Sequence, residues 1–174
     1  MKIQKVTLEH RPKVYALLQR AFPGSSNEEA LVRRLHEQNR SLHEWVCIHT
    51  NKVIAYIAFS TAYHGRQPCG LHLAPLAVAP DFQKQGVASE LLRFALRQEA
   101  IKEQPLFVLG ASAFFQRFGF TPCSRPLCPF DNGNTHFMAM RSEGDESFTV
   151  GYEPEFSRGT AGLPSKAAKR GHRR

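Results

Sequence analysis

Residues 71–96, LHLAPLAVAPDFQKQGVASELLRFAL, carry an apolar strand through a short glycine-containing turn directly into an amphipathic helix. Leu71, Leu73, Leu76 and Val78 form the strand run, closed by Pro80. Val87, Leu91, Leu92, Ala95 and Leu96 then recur at helical spacing, with Arg93, Arg97 and Glu99 on other faces. The first turn of such a helix has unpaired backbone N–H groups aimed beyond its end. The junction itself reads Gln83-Lys84-Gln85-Gly86-Val87-Ala88, a Gln-x-x-Gly-x-Ala pattern. Small residues at Gly86 and Ala88 let an anion reach successive amides, and Lys84 adds a mobile positive charge. A pyrophosphate is the natural occupant of that cradle.

The rest of the chain alternates between strand and helix signals. Residues 3–7 read as a first strand, and the helix after it has Pro12 near its start and Val14, Leu17, Leu18 and Phe22 on one face. Pro23-Gly24 stops it. A second helix begins around Ser26, where Ser26 and Glu29 have capping-box spacing, and carries Leu31, Val32 and Leu35. Residues 45–49 and 53–59 form a hairpin turning at Thr50-Asn51-Lys52, and residues 64–68 link it to the strand at 71. Further on come a strand at 106–109, a short helix at 112–118, and strands at 120–124 and 135–141. A mixed α/β domain over 1–156 is expected, with a basic, disordered tail over 157–174.

Composition narrows the function classes. A chain of 174 residues can bury about two thirds of its unfolded surface in one core. No stretch approaches the ~18–20 apolar residues of a membrane span, and the N-terminus lacks the apolar centre of a signal peptide. A soluble cytoplasmic protein without membrane contact is expected. The net charge of +8 is concentrated at the end: five of the 23 basic residues fall in the last nine positions. The remaining 18 basic and 15 acidic residues leave +3, which suits an anionic small molecule better than it demands a nucleic acid. Any attraction to nucleic acid would be weak and would come through the tail. Cys47, Cys69, Cys123 and Cys128 form no Cys-x-x-Cys pair and read as reduced thiols. Cys123, Cys128 and His136 match no zinc spacing, so no metal is expected.

The Gln83–Ala88 turn resembles the acetyl-CoA pyrophosphate loop of the GNAT superfamily of N-acetyltransferases, whose signature is Gln/Arg-x-x-Gly-x-Gly/Ala between a strand and a helix. Residues 106–120, LFVLGASAFFQRFGF, are similar to the strand and short helix that follow in that family, with Phe115 and Gly119-Phe120 at the matching places. RPLCPF at 125–130, FMAM at 137–140 and VGYEPEF at 150–156 resemble the YhbS-like branch. The resemblance spans residues 1–156. It implies a central sheet flanked by helices and splayed between the strand at 71 and the strand at 106, with the pantetheine arm in the gap; Pro75 suits a bulge there. It further implies that the Leu76 backbone N–H faces the thioester carbonyl and stabilises the oxyanion. By the same resemblance Val78 pairs with pantetheine, and the loop Gln83, Lys84, Gln85, Gly86, Val87, Ala88 and Ser89 holds the pyrophosphate.

The implied activity is acetyl transfer from acetyl-CoA, a co-substrate, to an amine by direct attack. A noncatalytic acyl-CoA sensor is the alternative, favoured by Phe115, which stands where many family members have a tyrosine that protonates the departing thiolate. A thiol of pKa about 8.5 is a tolerable leaving group without it. An alkyl ammonium of pKa about 10.4 must first lose a proton. The candidate bases are Glu28, Glu29, His64 and His72, none marked by a motif; Glu29 reads as a cap, Glu28 as a solvated first-turn acid, and His72 as able to point into the cleft. Gly110-Ala111-Ser112-Ala113 lacks the closing glycine of a nucleophile elbow because Phe114 follows. Acceptor and oligomeric state are not legible, although a homodimer is compatible.

Overall fold

The computed structural model describes residues 1–142 and 144–157. Its elements are β1 (Lys2–Lys5), α1 (Arg11–Ala21), α2 (Asn27–Glu37), β2 (Leu42–His49), β3 (Lys52–His64), β4 (Gln67–Val78), α3 (Val87–Leu96), β5 (Leu106–Leu109), α4 (Ser112–Gln116), β6 (Thr121–Pro122) and β7 (Phe137–Met140). One seven-stranded sheet runs in the order β1-β2-β3-β4-β5-β7-β6. All pairings are antiparallel except β4 with β5, which are parallel and joined through α3. Adjacent residues on a strand point to opposite faces. Trp45 meets Phe94 of α3 edge to face, whereas Glu44 meets His36 of α2, so α2 and α3 cover opposite faces. Val14, Leu17 and Leu18 of α1, Val32 of α2, and Leu91, Leu92 and Ala95 of α3 are buried in the central core.

Two local expectations need correction. Strands β3 and β4 are longer than the apolar runs suggest: His64 pairs with Gln67 and Tyr63 with Pro68, so residues 64–68 are a tight hairpin rather than a link. Gly65, at φ +66, supplies the left-handed turn residue. The Ser26–Glu29 capping box does not form, because Ser26 makes no side-chain cap bond. Ser25 acts instead: its hydroxyl accepts from the Asn27 N–H at 3.2 Å and donates to Glu28 at 3.1 Å.

Residues 151–157 lie over the α2 side of the sheet. Gly151 exchanges backbone hydrogen bonds with Tyr63 at 2.7 and 3.0 Å, and Phe156 is buried with Leu31 and Leu35 of α2. Arg40 grips Glu155 with two bonds, Nε at 2.9 Å and Nη2 at 3.1 Å. Of the expected tail at 157–174, all but Ser157 lies outside the described residues. Among the described residues no helix is long and apolar enough to cross a membrane.

Candidate active site

The parallel ladder between β4 and β5 is short. Leu71, His72 and Leu73 pair with Leu106, Phe107 and Val108, and pairing stops there although β4 runs on to Val78. At that point β4 bulges: Leu73 pairs with Phe59 and Leu76 with Ile57, so Ala74 and Pro75 together oppose Ala58. Pro75 has no N–H to give the ladder, which fits it to the unpaired place. Past the bulge, the Ala79 N–H donates to the Ile54 carbonyl at 2.8 Å. Antiparallel alternation then turns the backbone N–H groups of Val78 and Leu76 away from β3 and into the gap. The Val78 carbonyl, on that same side, accepts from Gln83 Nε2 at 3.0 Å.

A cavity of about 340 Å³ occupies the gap. Residues Leu73–Leu76 and Val78 of β4, Val108 and Leu109 of β5, and Phe114 and Phe115 of α4 form most of its wall. Ala88 of α3 closes one side, and Phe22 and Glu28 reach it from the α1–α2 connection. Glu28 is 2 % exposed, so it is a buried wall residue and not the solvated acid expected from its first-turn position. Helical phase explains the difference, since Glu28 precedes Leu31, Val32 and Leu35 by three, four and seven residues and shares their inward face.

At the other end of the gap, the turn delivers α3 with its N-terminus open. Gly86 is the N-cap residue at φ +84, and Lys84 before it is also left-handed at φ +63. A Cβ on Gly86 would meet nothing within 4 Å, so backbone conformation rather than crowding asks for glycine. The first bond of the helix runs from the Glu90 N–H to the Gly86 carbonyl at 3.0 Å, which leaves the amides of Val87, Ala88 and Ser89 outside the ladder. Gln83 and Gln85 tie the turn down through their side chains, Gln85 Nε2 donating to the Asp81 carbonyl at 3.0 Å. Arg117, which no sequence motif singles out, reaches Ser89 Oγ at 3.5 Å and brings a second cation to this rim.

The other candidate bases lie away from the cavity. His72 precedes Leu73, a wall residue, and therefore faces the opposite side of the sheet, not the cleft. It is 1 % exposed, stacks on Tyr152 with ring centroids 3.6 Å apart, and donates from Nε2 to the Gly151 carbonyl at 3.0 Å. Burial lowers its pKa to about 4, against the opposing effect of the Gly151 bond. His64 stacks on Phe148 and pairs with Glu146 at 3.5 Å near the β3–β4 hairpin. Glu29 is engaged by Arg33 Nε at 2.6 Å. Phe115 is buried against Phe114 and Phe120 and presents no hydroxyl. All four cysteines are free thiols. Among the described residues no group of three or more His, Cys, Asp and Glu side chains could hold a metal ion, Cys123, Cys128 and His136 included.

A mixed sheet flanked by helices and parted between β4 and β5, with an open helix N-terminus at the parting, is the GNAT fold. The chain belongs to the acetyltransferase (GNAT) family, whose model matches residues 11–120. It is 35% identical over 111 residues to an uncharacterized N-acetyltransferase, YjhQ, of Escherichia coli strain K12. That alignment covers 60% of this chain and 61% of YjhQ, so it spans less than two thirds of the relative's length. The crystal structure of the GNAT family N-acetyltransferase YhbS from Escherichia coli, in complex with CoA, superposes with a TM-score of 0.81 at 27% identity over 90% of this chain and 92% of that one. A GNAT family acetyltransferase from Brucella melitensis, in complex with acetyl-CoA, shares the fold with a TM-score of 0.74 at 22% identity, covering 89% of this chain and 97% of that one.

Proposed function

We propose that this protein transfers an acetyl group from acetyl-CoA to a primary amine by direct attack within a ternary complex. The observation that carries the reading is the gap: an apolar cavity with two outward-turned strand amides at its side and an uncapped helix N-terminus at its end. In this reading the diphosphate lies on the amides from Gln85 through Ser89, with Lys84 supplying charge and Gln83 bracing the turn. Pantetheine pairs with Val78, and the thioester carbonyl accepts from the Leu76 N–H. That donor stabilises the oxyanion as the amine nitrogen bonds to the carbonyl carbon. The nitrogen gives up one proton to water, the carbon–sulfur bond breaks with its electron pair on sulfur, and the thiolate takes a proton from water because Phe115 has none to give. Four free thiols suit a reducing compartment, so the cytoplasm is the proposed location.

The test is to mix the protein with acetyl-CoA and a broad panel of amines and follow acetyl-CoA consumption beside calorimetric binding. Binding with turnover supports the transferase. Binding without consumption by any amine favours a noncatalytic sensor, the reading that Phe115 encourages, and no binding removes both.

A further inference from the structure

We infer that the groove between α1 and the ends of β3 and β4 is a second anion site, separate from the β4–β5 gap, and that it takes a phosphate monoester carried on a small apolar body. The groove encloses about 370 Å³, a volume within the range of small-molecule sites. Its floor is apolar: Leu17 of α1, Val53 and Ile54 of β3, and Ala79 just past β4 line it, and each is buried. Lys13 and Arg20 of α1 and Lys52 of β3 stand exposed on its rim. Among the described residues none of these three cations forms an ion pair, and Asp81, the one acid on the rim, engages none of them.

Local helix rules do not account for this arrangement. The α1 sequence RPKVYALLQRA has no acid to answer its cations, and Lys13 lies in its first turn, where the macrodipole disfavours positive charge. Lys13, Ala16, Leu17 and Arg20 recur at the spacing of one helix face, so both cations overhang the same apolar strip. Three cations less one carboxylate leave +2 around the groove. A phosphate monoester carries about two negative charges at neutral pH; Arg20 can meet it with a two-pronged contact, and the lysines act as point charges. The apolar body covers the floor, which an inorganic ion leaves wet. The groove is also distinct from the gap. Val78 lines the gap and Ala79, the next residue, lines the groove, because neighbours in an extended chain face opposite sides. No lining residue is common to the two cavities.

The experiment titrates wild type with phenyl phosphate, by calorimetry and methyl NMR, with and without saturating acetyl-CoA. Inorganic phosphate and benzyl alcohol serve as the two halves of the probe. Phenyl phosphate is expected to bind with a Kd below about 1 mM, at least about tenfold tighter than either half. It should shift the methyl signals of Leu17, Val53 and Ile54 and leave those of Leu73, Leu76 and Val108 in place, whether or not acetyl-CoA is bound. Lys13→Gln, Arg20→Gln and Lys52→Gln should each weaken binding about threefold, and the triple variant about thirtyfold. Ala16→Phe, on the exposed face of α1, fills the groove and should abolish the shifts with acetyl-CoA affinity unchanged. Displacement of phenyl phosphate by acetyl-CoA would give the three cations to the nucleotide of the cofactor and overturn the inference. Absent binding, shifts confined to the gap, or full affinity in the triple variant would overturn it too. Failure of wild type to bind acetyl-CoA instead overturns the proposed transferase, since the groove is argued without it.

Discussion

Gly86 allows backbone strain and ligand binding to be separated. Its φ of +84 lies in the left-handed region, and the space beside it is open, so Gly86→Ala incurs only the conformational cost of about 1–2 kcal/mol. In a chain of this size that lowers the thermal midpoint by about 5 °C. Gly86→Glu incurs the same strain, but its charge beside the N-terminus of α3 returns about 0.3–1 kcal/mol, so it should be at least as stable as the alanine variant. Binding should order them the other way. With a diphosphate on the amides past Gly86, the worked separation from the new carboxylate is taken as about 6 Å. Each like-charge pair then costs about 2.8 kcal/mol at an effective dielectric of 20, or half that at 40. The affinity of Gly86→Glu for acetyl-CoA should therefore fall tenfold to hundredfold below that of Gly86→Ala, by a factor of order 10–100. Thermal denaturation and calorimetry on both variants measure the two effects. Equal affinities would refute the placement of the diphosphate at this turn.

Three other perturbations have defined outcomes. The folded state keeps His72 neutral down to about pH 4, whereas in the unfolded chain it protonates near pH 6.5. The unfolded state binds more protons in that window, so this contribution is full above pH 6.5 and falls by about 3 kcal/mol as pH drops to 4. Chemical denaturation across the window should show that slope flattened in His72→Gln, and an unchanged slope would count against the assignment. Arg40→Ala removes a two-pronged contact to the buried Glu155 carboxylate and should lower unfolding free energy by about 2–3 kcal/mol; a change under about 0.5 kcal/mol would mean that the pair does not pin the C-terminal segment. Phe115→Tyr places a phenol in the cavity wall and should raise kcat several-fold with acetyl-CoA affinity unchanged, whereas an unchanged kcat would show that thiolate protonation does not limit turnover.

What the sequence makes legible is local. The turn at residues 83–88 announces itself because a left-handed glycine, small neighbours and a helix start fall within six positions. The parting of β4 from β5 follows from the resemblance together with Pro75, which has no N–H to give a ladder. Glu28 was readable as well, since its phase with Leu31, Val32 and Leu35 marks an inward face, but a first-turn acid next to Glu29 reads as a dipole partner. The hairpin at Gly65 was obscured by Pro68, which discourages a strand assignment. Nothing local assigns His72 to the far face. Alternation from Leu73 fixes it only once the cavity is known, and its partners Gly151 and Tyr152 lie some eighty positions away in sequence. Arg117 reaches Ser89 by a similar long-range route.

Acetyl transfer by direct attack is tested most directly by a single-turnover mixture of acetyl-CoA-loaded protein with hexylamine, analysed by intact mass and thiol titration. The expected result is one acetylated amine and one free CoA thiol for each acetyl-CoA consumed, with the mass of the protein unchanged throughout. An acetyl adduct on the protein, or acetyl-CoA that stays intact with this and every other amine, would contradict it.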